Sequence, residues 1–303
     1  MPSVFHPGEL AAQRRAGLRA EADRVGGIVR TDVPPAAAVF LTEQRMLVIG
    51  GADERGRVWA SLLTGERGFL RAGTVGGREA VDIAAHPLAT DPLAGALTRP
   101  TRIGAIALDP ATRRRMRING VAGPIGAGLR LMAEQVYANC PKYIQRREVV
   151  SARADGSTST STTTVATELS EADRRMISGA DTFFIATTSA AGYRDASHRG
   201  GNRGFVRLEP DGGLSWPDYP GNAMMMTLGN LEQNPRAGLL FLDWSTGTTL
   251  QLTGTAPTDW AGQRRSRFHL DEVRRTELAS PLHWSEPEYS RFNPPTDAPL
   301  LVS

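Results

Sequence analysis

The sequence predicts a mainly β (α+β) protein in which one small barrel with flanking helices is followed by a second copy of itself. Two internal matches and the spacing of short strands predict this. Sliding the chain by 136 residues lays Arg45–Leu70 on Asp181–Val206, with identities at Ile49/Ile185, Gly56/Gly192, Ala60/Ala196, Ser61/Ser197, Gly65/Gly201, Arg67/Arg203, Gly68/Gly204 and Phe69/Phe205. Ordinary residue usage gives roughly one or two matches over such a stretch. A shift of 134 aligns Pro100–Ala122 with Asn234–Ala256 through Arg102/Arg236, Gly104/Gly238, Leu108/Leu242, Asp109/Asp243, Thr112/Thr246, Gly120/Gly254 and Ala122/Ala256. Within each copy, short apolar runs separated by Gly- and Asn-rich turns read as strands of a small barrel.

Along the chain, residues 1–35 read as an N-terminal helical arm, with a helix over Pro7–Arg24. Residues 36–150 form the first barrel: Met46–Ile49 is a buried strand, Gly56 a turn, Ala60-Ser61 the next strand, and Gly128–Asn139 reads as a closing helix. Residues 151–169 are a linker whose polar run Asp155–Thr164 has no apolar area to bury. Glu168–Ile177 reads as a helix with Ser170 as N-cap and Asp173 at the third helical position. The second barrel is placed at 170–260. Its strands include Thr182–Thr187, Gly204–Leu208 and Leu214–Trp216 about a Pro210–Gly213 turn, Ala237–Asp243, and Thr248–Gly254. Asn222–Glu232 reads as a helix, stopped before Asn234-Pro235 because the residue ahead of proline avoids the helical region. Residues 261–303 are assigned to a C-terminal helix and a Pro-rich tail.

Composition narrows the function. The chain of 303 residues is 40% hydrophobic and carries 35 Lys+Arg against 32 Asp+Glu, a net +3 that argues no nucleic-acid partner. The cation run Arg113–Arg117 reads as a solvated or edge-protecting face. Cys140 is the single cysteine, which excludes disulfide frameworks and multi-cysteine metal sites; the histidines are scattered, and no metal is expected. No apolar run reaches membrane-spanning length, and a soluble, cytoplasmic protein is expected. Gly123–Gly128 has the wrong glycine spacing for a dinucleotide loop.

Two segments point to an anion. Ser197, His198 and Arg199 precede Gly200-Gly201, where backbone can approach a phosphate and Arg offers planar charged donors. Asp218–Asn222 leads into a helix N-terminus, an anion site by geometry and dipole. Unit one has Leu62, Leu63 and Thr64 at the places of His198, Arg199 and Gly200, so the two implied sites are not equivalent.

Residues 195–201 (DASHRGG), 218–222 (DYPGN), 228–235 (LGNLEQNP), 237–243 and 250–254 resemble the flavin-nucleotide-binding family related to pyridoxamine 5′-phosphate oxidase. Asn139–Arg146 and Phe5–Leu10 resemble signatures of a tandem subgroup. The resemblance implies two tandem split β-barrels of the FMN-binding type, pseudo-dimeric within one chain, with FMN in the groove between them. It implies cofactor contacts from Ser197, His198 and Arg199, from Tyr219, Gly221 and Asn222, and from the Gln251 amide at the flavin ring edge. Lys142, Tyr143 and Gln145 are implied to reach across from unit one. Where the family has a Ser-Arg-Lys type phosphate clamp, this chain has Gly221, Asn222 and Ala223, so Arg199 or a cation of unit one must substitute. Met224–Met226 read either as core filler or as flavin packing.

The expected function is an FMN-dependent oxidoreductase with one flavin per chain, acting with a small-molecule substrate or electron donor, as a monomer or homodimer. The alternatives are a non-catalytic redox sensor and a haem- or deazaflavin-binding relative. No catalytic residue is assigned; His198 and Tyr219 are the titratable candidates, His198 for proton exchange near neutral pH.

Overall fold

The computed structural model describes residues 3–138, 140–153 and 161–296. The N-terminal arm is two helices, α1 (Pro7–Arg15) and α2 (Arg19–Gly26), broken at Gly17, whose φ is +70°. After α3 (Pro35–Thr42) the first barrel runs β1 (Met46–Ala52), β2 (Val58–Thr64), β3 (Leu70–Val75), β4 (Arg78–Ile83), a 3₁₀ turn (Ala96–Thr98), β5 (Thr101–Asp109), β6 (Arg114–Ile125) and β7 (Gly128–Ala138). Edge strands β8 (Val149–Ala152) and β9 (Thr162–Ala166) flank the linker; most of its polar run, residues 154–160, lies outside the described residues.

The second barrel repeats the plan: α4 (Glu171–Ser178), β10 (Thr182–Thr188), β11 (Arg194–Gly200), β12 (Arg207–Leu208), β13 (Leu214–Pro217), α5 (Met226–Gln233), β14 (Arg236–Leu242), β15 (Thr249–Thr255), β16 (Thr258–Asp259) and β17 (Arg265–Glu277). Strand β18 (Leu282–Trp284) pairs with β8. The sheet orders are β2-β1-β5-β6-β7-β4-β3 and β11-β10-β14-β15-β17-β13-β12. These are the same order once each strand is replaced by its repeat partner, so the duplication read from the sequence is a duplication of topology.

The matched glycines have matched physical causes. Opposite Gly120 and Gly254 the registers shift past Glu134 of β7 and Asp271 of β17, giving the same β-bulge in both barrels, and an added Cβ on either glycine would run into a facing backbone carbonyl. At Gly104 and Gly238 the two barrels touch: a Cβ on Gly104 would lie 2.5 Å from the Asp195 Cα, and one on Gly238 would meet the Trp59 backbone. Asp195 and Trp59 are themselves repeat partners, so the contact is symmetric.

Each barrel has its own core, one around Trp59, Phe69 and Ile103, the other around Phe183, Trp216 and Phe241. A third cluster, with Val48, Ile106, Phe184 and Leu240, joins β1, β2 and β5 to their counterparts. Full burial of side chains of this size contributes about 1.5–3 kcal/mol each, so the third cluster holds the two barrels against each other.

Two helix expectations are corrected. Gly128–Asn139 is not a helix: 128–138 is β7, in which Leu129, Leu131 and Ala133 alternate inward between β6 and β4. There is no C-terminal helix over the described residues; 265–277 is β17, which pairs with β15 and β13 and carries the second barrel past residue 260. The predicted helix at Ser170 is present, with the Ser170–Asp173 capping box formed in both directions. The other predicted helix begins at Met226 rather than Asn222.

Candidate functional site

Strand β6 of the first barrel, strand β11 of the second and the N-terminus of α5 meet at a cleft of about 840 Å³, its open mouth included. On β6, Arg115 and Arg117 are two apart and share a face, so both enter the cleft. This corrects the reading of the Arg113–Arg117 run: Arg114 is exposed, but Arg117 is 4% exposed and committed to the interior. On β11, Ser197, His198 and Arg199 line the opposite wall. Cys140, Lys142 and Tyr143, just after β7, close one end.

The charges are arranged asymmetrically. Arg117 pairs with Asp195 at 3.2 Å, and the Tyr137 hydroxyl donates to the same carboxylate at 3.2 Å. Arg115 and Arg199 have no carboxylate at ion-pair distance among the described residues. Arg199 Nη1 donates to Ser197 Oγ at 2.7 Å. Arg115 Nη1 lies 3.0 Å from His198 Nδ1. A guanidinium only donates, so Nδ1 accepts and the imidazole proton sits on Nε2. His198 Nε2 and Arg115 Nε are buried and have no hydrogen-bond partner. Burial, reinforced by Arg117 and Arg199, brings the Arg115 pKa down to about 9. Burial likewise, with Arg115 and Arg199 next, holds His198 well below its ordinary value.

The third wall is a strained loop ending in a bare helix terminus. Tyr143, Ala223 and Met225 all have positive φ, at 66°, 62° and 56°. Such conformations in non-glycine residues cost of order 1–3 kcal/mol each and persist where surroundings enforce them. Here the Tyr143 hydroxyl donates to the Pro220 carbonyl at 2.9 Å, its ring packs 5.2 Å from that of Tyr219, and Gln13 of α1 donates to the Met224 carbonyl at 2.9 Å. Helix α5 has no side-chain cap and no acidic residue in its first turn, so its N-terminal amides add positive potential to the cleft.

Of the residues expected at the site, Ser197, His198, Arg199, Tyr219, Gly221, Asn222, Lys142 and Tyr143 are brought to this cleft. Gln145 is not. Its amide donates to the Tyr143 and Gly201 carbonyls and accepts from Ser290 N and Asn293 Nδ2, tying down the segment after β18. Gln251 is not either: its Nε2 donates to the Ala60 carbonyl, Ser61 Oγ and Asp91 Oδ2 on the other side of the molecule. His198 and Tyr219 are poorly suited to proton exchange near neutral pH, since burial lowers the imidazole and raises the phenol. Arg115 and Arg117 are the residues missed. The shift of 134 that aligns the repeats sets Arg117 on Gln251, which was the available signal.

Residues 169–282 match the model of the family described as pyridoxamine 5′-phosphate oxidase. No curated protein matches the chain. Among solved structures, a tagged HupZ of Group A Streptococcus is 16% identical over 38% of this chain and 98% of its own, with a TM-score of 0.30. The FAD binding protein from Mycobacterium smegmatis is 14% identical over 38% of this chain and 98% of its own, TM-score 0.26. HutZ, the haem storage protein from Vibrio cholerae, is 11% identical over 42% of this chain and 99% of its own, TM-score 0.25. At these scores none of the three structures carries an argument about this chain.

Proposed function

Since residues 169–282 belong to the pyridoxamine 5′-phosphate oxidase-like family, we propose that the cleft between the two barrels binds one FMN per chain and that the protein is an FMN-dependent oxidoreductase. The observation that carries this reading is the set of donors gathered at the cleft: Arg115 and Arg199, which have no carboxylate at ion-pair distance among the described residues, and the partnerless Arg115 Nε and His198 Nε2, beside the uncapped end of α5. Desolvated donors without acceptors are costly unless a ligand supplies them, and a phosphate does. Arg115 stands in for the cations missing at Gly221, Asn222 and Ala223, supplied from the first barrel.

In this reading Arg115, Arg199 and the α5 amides hold the phosphate, with Ser197 orienting Arg199. Lys142 at the mouth adds positive potential, and Tyr143 and Tyr219 exclude water from one side. FMN, when bound, supplies hydride or electron transfer; the protein binds it and tunes its surroundings. His198 acts as a neutral hydrogen-bond donor. That role also favours flavin over haem, because an imidazole protonated at Nε2 has no lone pair there for iron. The test is the absorbance spectrum of the purified protein, with mass analysis of what heating releases. Flavin bands and the FMN mass are expected; a Soret band, or a colourless protein that does not bind added FMN, overturns the reading.

A further inference from the structure

A second and larger cavity, about 1190 Å³ with its mouth included, lies beyond Asp195 and Met226 from the cleft. Its walls are the segment before α1, barrel one at Ile103 and Asn119, and barrel two at Arg194 and Met226. The ionised groups around it cancel in pairs: Arg102 with Glu134 at 2.6 Å and Arg117 with Asp195 at 3.2 Å. His6 is uncharged in this geometry, since Nε2 bonds Asn230 Oδ1 at 2.9 Å while Nδ1 accepts from Gly8 N at 3.1 Å, and burial lowers its pKa. Burial raises Glu9 to about 8, so it is mostly protonated at neutral pH.

One charge remains. Arg194 has no carboxylate partner among the described residues, and its Nε and Nη1 are buried without any hydrogen-bond acceptor. Asn119 Oδ1 is buried and likewise unpartnered, while its amide nitrogen donates to Gln135 Oε1 at 3.1 Å. Phe5, Ile103 and Met226, all nearly fully buried, supply an apolar surface. A single uncompensated cation asks for a monoanion, the orphaned amide oxygen for a hydroxyl or amino donor, and the apolar wall for a hydrocarbon body.

We propose that this cavity is a binding site for an organic monocarboxylate that carries a hydroxyl or amino donor and an apolar body, with Arg194 as its carboxylate-binding residue. The site stands on its own geometry and does not depend on what fills the cleft. The probe is 3-phenyllactate, titrated into the full chain by calorimetry without added flavin, beside its uncharged amide. Binding of the acid with a Kd in the millimolar range or below is expected, at least tenfold weaker for the amide and for Arg194→Gln, and unchanged for Arg199→Gln. Arg194→Lys should recover part of the loss. Circular-dichroism melting confirms that each variant is folded. No binding by the folded wild type, equal binding of acid and amide, or wild-type affinity in Arg194→Gln each overturns the proposal. Because Arg199→Gln strikes only the cleft, loss of FMN binding there with phenyllactate binding retained separates the two sites.

Discussion

The duplication creates two equivalent grooves between the barrels, and they have opposite fates. In one, Arg115 and Arg117 face Ser197, His198 and Arg199 across an open cleft of about 840 Å³. In the other, the repeat partners Thr249 and Gln251 face Ser61 and Leu62, and the space shrinks to about 290 Å³. Asp91 fills it, accepting from Ser61 Oγ at 2.7 Å, Leu93 N at 2.8 Å and Gln251 Nε2 at 3.0 Å. The β2 face that carries Trp59 and Leu63 into the first core carries Asp195 and Arg199 on β11. The same backbone thus serves as core when its side chains are apolar and as a site when they are charged. Among the described residues the filled groove has no buried side-chain polar atom without a partner, whereas in the open one His198 Nε2 and Arg115 Nε have none. That difference is why the proposed cofactor site is assigned to the open groove.

The comparison can be broken at its shared frame. Gly238→Val drives a side chain into the Trp59 backbone and should cost about 3 kcal/mol or more, read as a large fall in the urea midpoint; a midpoint within error of wild type would remove the close-contact account of the interface. The two grooves can then be told apart. Arg115→Ala and Arg199→Ala should each weaken FMN binding roughly 10- to 100-fold, from charge-assisted hydrogen bonds of about 1.5–3 kcal/mol, with little change in melting temperature. Gln251→Ala should do the reverse, costing about 1–3 kcal/mol of stability by leaving Asp91 and Ser61 short of a donor, with FMN affinity intact. FMN titration and thermal melting of the three variants check both halves.

A pH effect sharpens the picture of the arm that buttresses α5. Glu9 has its folded pKa raised from 4.5 to about 8, chiefly by burial. The folded state therefore holds more protons than the unfolded state between those values, so this contribution to stability is full below the lower one and is lost as pH rises through the upper one. The loss is on the order of a few kcal/mol. Glu9→Gln should flatten stability over that window, measured as urea midpoints at several pH values; an unchanged slope would show that Glu9 titrates normally. The smallest effect is expected at the cleft mouth: Lys142→Ala should weaken FMN binding roughly two- to fivefold and reduce its salt dependence, because a half-buried charge at the mouth is still partly screened.

Much of this was legible in the sequence because the repeat is written in residues whose roles are steric. Gly104/Gly238 and Gly120/Gly254 recur since backbone packs on backbone there, and such positions tolerate no other side chain. The Ser170–Asp173 cap was readable for the same local reason. The strand β7 was misread because Met132, Ala133, Glu134 and Gln135 favour helix, and the pairing with β4 and β6 that overrides them is not local. Arg115 and Arg117 were hidden inside a charge run, since which side of a strand faces a cleft depends on a partner barrel some 80 residues away in sequence. Gln251 was assigned to the right strand position but the wrong groove: in a pseudo-dimer each groove takes that strand from the other barrel.

The symmetric contact of Gly104 and Gly238 has one further consequence. Both walls of the open cleft hang from one backbone, so the local concentration of one wall about the other is set by a covalent tether rather than by how much protein is present. A cleft assembled from two separate copies would come apart on dilution and would force every substitution to appear on both sides. Here dilution leaves the walls together, and each wall can vary alone, which allows one groove to be filled while the other is open.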